Sequence, residues 1–216
     1  MSLNGTFIVV DDHPVYRHGV AALVVQELRL ESVGEAGTIA EATDLLIKGK
    51  PDLAIVDISL QGESGLELVR IIKNEYLKTS VLVVSMHDES LYGERALKAG
   101  ARGYIMKHSD PARLLEAVKG VLEGRIVVSD ELRDRMMGAM ISGAPTGDSV
   151  SNLSDRELEV FRLIGKGFGA AEIAAALRIS VKTVNAYREH IKDKIHIETA
   201  ADLRKYAVEW MSTNPQ

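Results

Sequence analysis

Between residues 6 and 122, short wholly apolar runs alternate with longer stretches in which apolar positions recur every three or four residues. Phe7-Ile8-Val9-Val10, Leu53-Ala54-Ile55-Val56 and Val81-Leu82-Val83-Val84 lack polar alternation and are rich in β-branched residues, so they predict strands buried on both faces. Weaker strands are predicted at 32–36 and at Gly103-Tyr104-Ile105. The intervening stretches 15–28, 39–47, 66–73, 89–98 and 111–122 carry helical spacing, the last opening with Pro111 behind the capping residue Asp110. Five strand–helix units imply an α/β doubly wound (βα)5 domain of flavodoxin-like type, a parallel sheet with helices on both faces.

The pattern dissolves from 123 to 150, where Gly124, Gly138, Gly143, Pro145 and Gly147 punctuate the chain, although 130–141 predicts a linker helix. Residues 142–150 read as a flexible connector. Beyond it the spacing is helical without a strand run. Ser154-Asp155-Arg156-Glu157 fits a capping box that opens a helix, and three more helices are predicted near 170–177, 181–195 and 200–211. The expected organisation is therefore 5–122, a linker 123–150, and an all-α domain 151–216.

Composition narrows the function class. The 216 residues are 46% hydrophobic, enough for two cores, and contain no cysteine, which excludes disulfides, thiolate metal sites and a cysteine nucleophile. Neither a run of about 20 apolar residues nor a signal-peptide pattern is present, so a cytoplasmic protein without membrane association is expected. Residues 1–150 carry a net charge of −6 and residues 151–216 a net charge of +1. Contact with nucleic acid must then come from local clustering of charge.

In an open parallel sheet, ligands bind beyond the carboxyl ends of the strands. There the first strand is followed by Asp11-Asp12, the third by Asp57, the fourth by Ser85 and the fifth by Lys107. Converging carboxylates repel one another unless a divalent cation neutralises them, and Mg²⁺ suits hard oxygen ligands that leave room for phosphate. A lysine and a hydroxyl beside it supply charge and donors for a phosphoryl group. None of the six histidines shows metal-ligand spacing.

Val10-Asp11-Asp12, Pro51-Asp52-Leu53-Ala54-Ile55-Val56-Asp57, Val84-Ser85 and Tyr104-Ile105-Met106-Lys107, in this order, resemble the receiver domain of two-component response regulators. The resemblance implies that Asp57 accepts the phosphoryl group of a sensor histidine kinase. It implies Mg²⁺ held by Asp12, Asp57 and the backbone carbonyl of Ser59, with Asp11 acting through water. Lys107 would pair with the phosphoryl group, Ser85 would move to it, and Tyr104 would swing inward behind Ser85. The only chemistry would be the domain's own phosphorylation and hydrolysis, not turnover of a substrate. Gln61 departs from the family, which usually has proline there.

The helix at 181–195 places Val184, Tyr187, Ile191 and Ile195 on one stripe and is preceded by a short helix and a tight turn, as in a helix-turn-helix. Leu153-Ser154-Asp155-Arg156-Glu157-Leu158-Glu159-Val160, Glu172-Ile173-Ala174 and Ile179-Ser180-Val181-Lys182-Thr183-Val184 resemble the LuxR-type helix-turn-helix. Together the two halves are similar to a NarL/FixJ-type response regulator. By that resemblance Asn185, Ala186 and Glu189 would face base edges, and Lys182, Thr183, Arg188 and Lys192 would hold phosphates of double-stranded DNA. Asn185, Tyr187 and Glu189 depart from the common pattern and suggest an altered sequence preference. The outer side of the last helix would form a homodimer contact. Two rival readings are a receiver whose helical domain binds protein instead of DNA, and a small-molecule phosphatase, which would want a second acid where Ser59 stands.

Overall fold

The computed structural model describes residues 5–60, 62–142 and 149–213. The chain divides into two compact units, Met1–Gly138 and Ala139–Gln216.

The first unit is built on a five-stranded parallel sheet of β1 (Thr6–Val10), β2 (Glu31–Ala36), β3 (Leu53–Val56), β6 (Ser80–Ser85) and β7 (Gly103–Met106), in the order β2-β1-β3-β6-β7. Side chains alternate across each strand, which assigns the apolar residues to two cores. Phe7, Val9, Leu53, Ile55, Leu82, Val84 and Ile105 pack with Val20, Ala21 and Val24 of α1 (Pro14–Leu28) and with Leu114, Ala117 and Val118 of α5 (Pro111–Leu122). The alternate residues Ile8, Val10, Ala54, Val56, Val81 and Val83 are equally buried and belong to the other face. Helices α2 (Ile39–Gly49), α3 (Gly65–Glu75) and α4 (Glu89–Ala99) complete the unit.

Two features go beyond the predicted elements. A small antiparallel hairpin, β4 (Ser59–Leu60) and β5 (Glu63–Ser64), follows β3. Its turn contains Gly62 at φ 89°, a conformation that glycine adopts without steric cost. The segment after α5 is also structured, against the first unit. Val127 bridges to Gly103 of the edge strand, the Ser129 amide donates to Glu89 Oε1 at 2.9 Å, and α6 (Asp130–Ser142) buries Leu132. Leu132 sits over Gly93, where a Cβ would come within 2.4 Å of its Cδ2. The expected connector residues 143–148 and Gln61 lie outside the described residues.

The second unit contains a short 3-10 turn, Ser149–Asn152, and helices α7 (Asp155–Gly165), α8 (Ala170–Leu177), α9 (Val181–Ile195) and α10 (Ala200–Thr213). The capping box at Ser154 and Glu157 is formed as the sequence predicts, with the Ser154 amide donating to Glu157 Oε2 at 2.6 Å. Glu157 also takes Lys194 Nζ at 2.7 Å, tying the start of α7 to the end of α9. Although burial opposes its charge, Lys194 and Ser154 hold the Glu157 carboxyl below its ordinary range. Phe161 meets Trp210 edge-on, with ring centroids 5.6 Å apart, which locks α7 against α10.

Candidate functional site

Strand register brings the predicted acids together. Val10 pairs with Val56, so Asp11 and Asp57 follow one step beyond a paired position, and the Asp57 amide donates to the Val10 carbonyl at 2.9 Å. Ser85 pairs with Met106, and the Lys107 amide donates to the Ser85 carbonyl at 2.8 Å. The row lies at the carboxyl edge where the strand order reverses between β1 and β3, the place at which open parallel sheets form crevices.

Lys107 Nζ is 2.7 Å from Asp57 Oδ2 and 2.7 Å from Asp11 Oδ2, and all three side chains are buried. Burial pushes the Asp57 carboxyl above its ordinary range, Lys107 opposes that shift and Asp11 adds to it. The lysine itself loses hydration, which alone would lower its affinity for a proton; Asp57 and Asp11 more than offset this and keep it firmly charged. Two carboxylates share one ammonium, so negative charge is in excess.

Asp57 Oδ1 is buried without a hydrogen-bond partner, and ligand atoms of Asp11, Asp12, His13 and Asp57 lie within 4.8 Å of one another. An unpartnered carboxylate oxygen in a cluster of hard donors fits a divalent cation. His13 belongs to this cluster, contrary to the expectation for the histidines: its Nδ1 is 2.7 Å from Asp12 Oδ1. The reason is local, because the His13 amide donates to Asp11 Oδ1 at 2.8 Å and so turns the chain into α1 over the acids. The adjacency of Asp11-Asp12-His13 was the available signal.

Ser85 is fully buried, and its Oγ accepts from the His87 amide at 3.3 Å. Tyr104 lies inward, 1% exposed, and its hydroxyl donates to the His87 carbonyl at 2.6 Å. Ser59, two residues past Asp57, bonds through its hydroxyl to His87 Nε2 at 2.9 Å. His87, which the sequence marks only as a histidine without metal-ligand spacing, thus links the loops after β3 and β6 with β7. Its role depends on two contacts distant in sequence, to Ser59 and Tyr104, which no local pattern carries.

In the second unit α8 and α9 form a helix pair joined through Arg178, which adopts the left-handed conformation at φ 54°, and Ser180, whose Oγ accepts the Thr183 amide at 3.0 Å. On α9, Val184, Ile191 and Ile195 are buried, while Tyr187 is only half-buried. Lys182, Asn185, Ala186 and Glu189 are exposed, and Thr183, Arg188 and Lys192 are half-buried. The Thr183 hydroxyl is engaged with Ser180 at 2.7 Å. Lys192 Nζ pairs with Glu189 Oε2 at 2.8 Å and also donates to the Glu198 carbonyl at 3.3 Å.

Comparison with known proteins matches residues 7–119 to the response regulator receiver domain and residues 151–207 to the luxR family of bacterial regulatory proteins. The chain belongs to the response regulators. The oxygen regulatory protein NreC of Staphylococcus epidermidis is 35% identical over 209 residues, 93% of this chain and 95% of that relative. NreC of Staphylococcus aureus is 35% identical over 207 residues, with the same shares. Among solved structures, a LuxR-family two-component response regulator from Aurantimonas sp. is 32% identical, with a TM-score of 0.59 over 64% of this chain and 99% of the other. RcsB from Salmonella enterica serovar Typhimurium, bound to promoter rprA in the presence of the phosphomimetic BeF3-, is 25% identical, with a TM-score of 0.61 over 95% of this response regulator and 99% of RcsB. The α/β doubly wound receiver and the LuxR-type helix-turn-helix domain of this response regulator are thereby established. Among its described residues, no helix is long and apolar enough to cross a membrane.

Proposed function

We propose that this response regulator is switched by phosphorylation of Asp57 by a sensor histidine kinase, and that the modified protein binds double-stranded DNA as a homodimer to control transcription. The observation that carries the reading is the buried Asp57 carboxylate, one oxygen on Lys107 and the other without a partner, inside a cluster of three acids.

Asp11, Asp12 and Asp57, with the backbone carbonyl of Ser59, would hold Mg²⁺, and His13 stands beside them. The ion supplies charge neutralisation between the carboxylates and the phosphoryl oxygens when bound. A carboxylate oxygen of Asp57 attacks the phosphorus of a phosphohistidine; the new O–P bond forms as the N–P bond breaks, and the freed imidazole takes a proton from water. Lys107 keeps its charge and meets the phosphoryl oxygens with a positioned ammonium. Ser85 presents a hydroxyl donor from the neighbouring strand end, and Tyr104 supports the loop behind it through the His87 carbonyl. Hydrolysis reverses the state when water attacks the same phosphorus and inorganic phosphate leaves Asp57. These are self-catalysed steps on the protein's own side chain; Ser59 offers no second acid for turnover of a small phosphate ester.

On the DNA side, the exposed face of α9 would enter the major groove, with Asn185, Ala186 and Glu189 toward base edges and Lys182, Thr183, Arg188 and Lys192 toward phosphates. Solved RcsB structures hold two dimers bound to two parallel DNAs and RcsB bound to promoter rprA in the presence of the phosphomimetic BeF3-, which supports the same reading here.

Acetyl phosphate with Mg²⁺ should label the wild type once and leave Asp57→Ala unlabelled; equal labelling of both would refute the acceptor assignment. Footprinting on the DNA upstream of its own coding sequence, with and without beryllofluoride, tests the second half. Absence of any protected site under either condition would favour the protein-binding alternative.

A further inference from the structure

Lys107 has a third neighbour besides its two carboxylates. The ammonium lies over the ring of Tyr16, 4.7 Å from its centroid. Tyr16 is in the first turn of α1, half-buried, and packs against the core beneath that helix. We propose that Tyr16 is a positioning residue for phosphoryl transfer, its ring face holding the Lys107 ammonium at the acceptor while the carboxylates exchange partners. This rests on the reading of Asp57 as phosphoacceptor.

The argument follows from what changes around the lysine and what does not. Asp11 and Asp57 each give Lys107 an oxygen at 2.7 Å, and these are groups that a divalent cation would claim. A second cation in the cluster would both draw off the lysine's partners and repel it. The ring of Tyr16 attracts an ammonium through its quadrupole but offers a hard cation no carboxylate-like ligand, so its hold on Lys107 persists through the exchange. Its placement is tied to the acids, because Asp11 Oδ1 fixes the start of α1 through the His13 amide. Burial, with Asp11 and Asp57 nearby, pushes the Tyr16 phenol up to about 12, so the ring stays neutral over the working range.

A purely packing role predicts that ring shape matters and ring electronics do not. The full chain should therefore carry, at position 16 alone, leucine, phenylalanine and the mono-, di- and trifluorinated phenylalanines. The readout is the rate of labelling by acetyl phosphate at saturating Mg²⁺. Tyr16→Leu is expected to slow labelling about 3- to 10-fold, Tyr16→Phe to restore most of the loss, and successive fluorination to remove it again in graded steps. A second readout needs no metal: in denaturant unfolding of the metal-free protein, Tyr16→Leu should cost less in a Lys107→Ala background than alone. A labelled wild type with a flat fluorination series, or strictly additive unfolding effects, would overturn the role of Tyr16 and leave the acceptor assignment standing. An unlabelled wild type would instead overturn the acceptor assignment and, with it, any part for Tyr16 in the transfer.

Discussion

Asp57 is more expensive to keep charged than an exposed aspartate, because burial and Asp11 together outweigh Lys107. A carboxyl whose folded value is raised contributes most stability below its unfolded value and loses that contribution as pH rises through the folded one. Metal-free Asp57→Asn should therefore unfold later in denaturant than the wild type at pH 7, with the difference shrinking as the medium is acidified through the carboxylate range. Lys107 retains Asp11 in that variant. The cation should act in the opposite sense on the wild type: Mg²⁺ at 100 times its dissociation constant would stabilise by about 2.7 kcal/mol, and thermal melts of Asp57→Asn and Asp12→Ala should lose most of that shift. Asp11, Asp12, Asp57, Ser85 and Lys107 were all legible in the sequence, since each directly follows or ends a strand run. Tyr16 and His87 were not, because a ring under an ammonium and a hydrogen bond from Ser59 to His87 across 28 positions exist only after the strands are aligned.

The helices and parallel strands follow from local pattern, with boundaries displaced by a few residues, as capping and fraying dictate. The hairpin of β4 and β5 escaped the reading because strands of two residues carry no periodicity. It nonetheless sets how α3 reaches the acid edge. The Gly65 amide donates to the Ile58 carbonyl at 2.6 Å, and a Cβ there would stand 1.8 Å from the Asp57 carbonyl oxygen. Gly65→Ala should force α3 and the end of β3 apart, costing about 1–3 kcal/mol of stability and slowing the proposed labelling by acetyl phosphate. Gly19 is the contrasting element-scale case, mid-helix in α1 with nothing within 4 Å of a built Cβ, so Gly19→Ala should leave labelling intact and stabilise by about 0.5–1 kcal/mol. The segment from Arg125 to Leu132 was read as punctuated linker for a similar reason. Its partners, Gly103, Glu89 and Gly93, belong to other elements, and only packing reveals that it is seated.

At the scale of the whole molecule, a receiver and a helix-turn-helix unit on one chain perform a switch only if the phosphorylated receiver favours a different arrangement or association of the second unit, and a modification can shift an equilibrium only by its differential effect on the two states. Beryllofluoride with Mg²⁺ should raise DNA affinity roughly 5- to 150-fold and shift sedimentation toward a dimer; an unchanged affinity and a monomer under both conditions would sink the coupling. The face of α9 proposed to meet DNA carries a restraint, for Glu189 holds Lys192 in the free protein. Glu189→Gln should tighten non-specific DNA binding and steepen its dependence on salt by about one phosphate contact. The sequence by itself determined the two-domain plan, the strands, the capped helices and the identities of the acids, because hydrophobic period and the residues at strand ends are local properties. Tertiary structure alone decided that Asp11 and Asp57 share one ammonium, that Tyr16 lies beneath it, that His87 joins two loops to β7 and that residues 127–132 clasp the receiver, because those contacts depend on register between parallel strands and on how closely helices approach them.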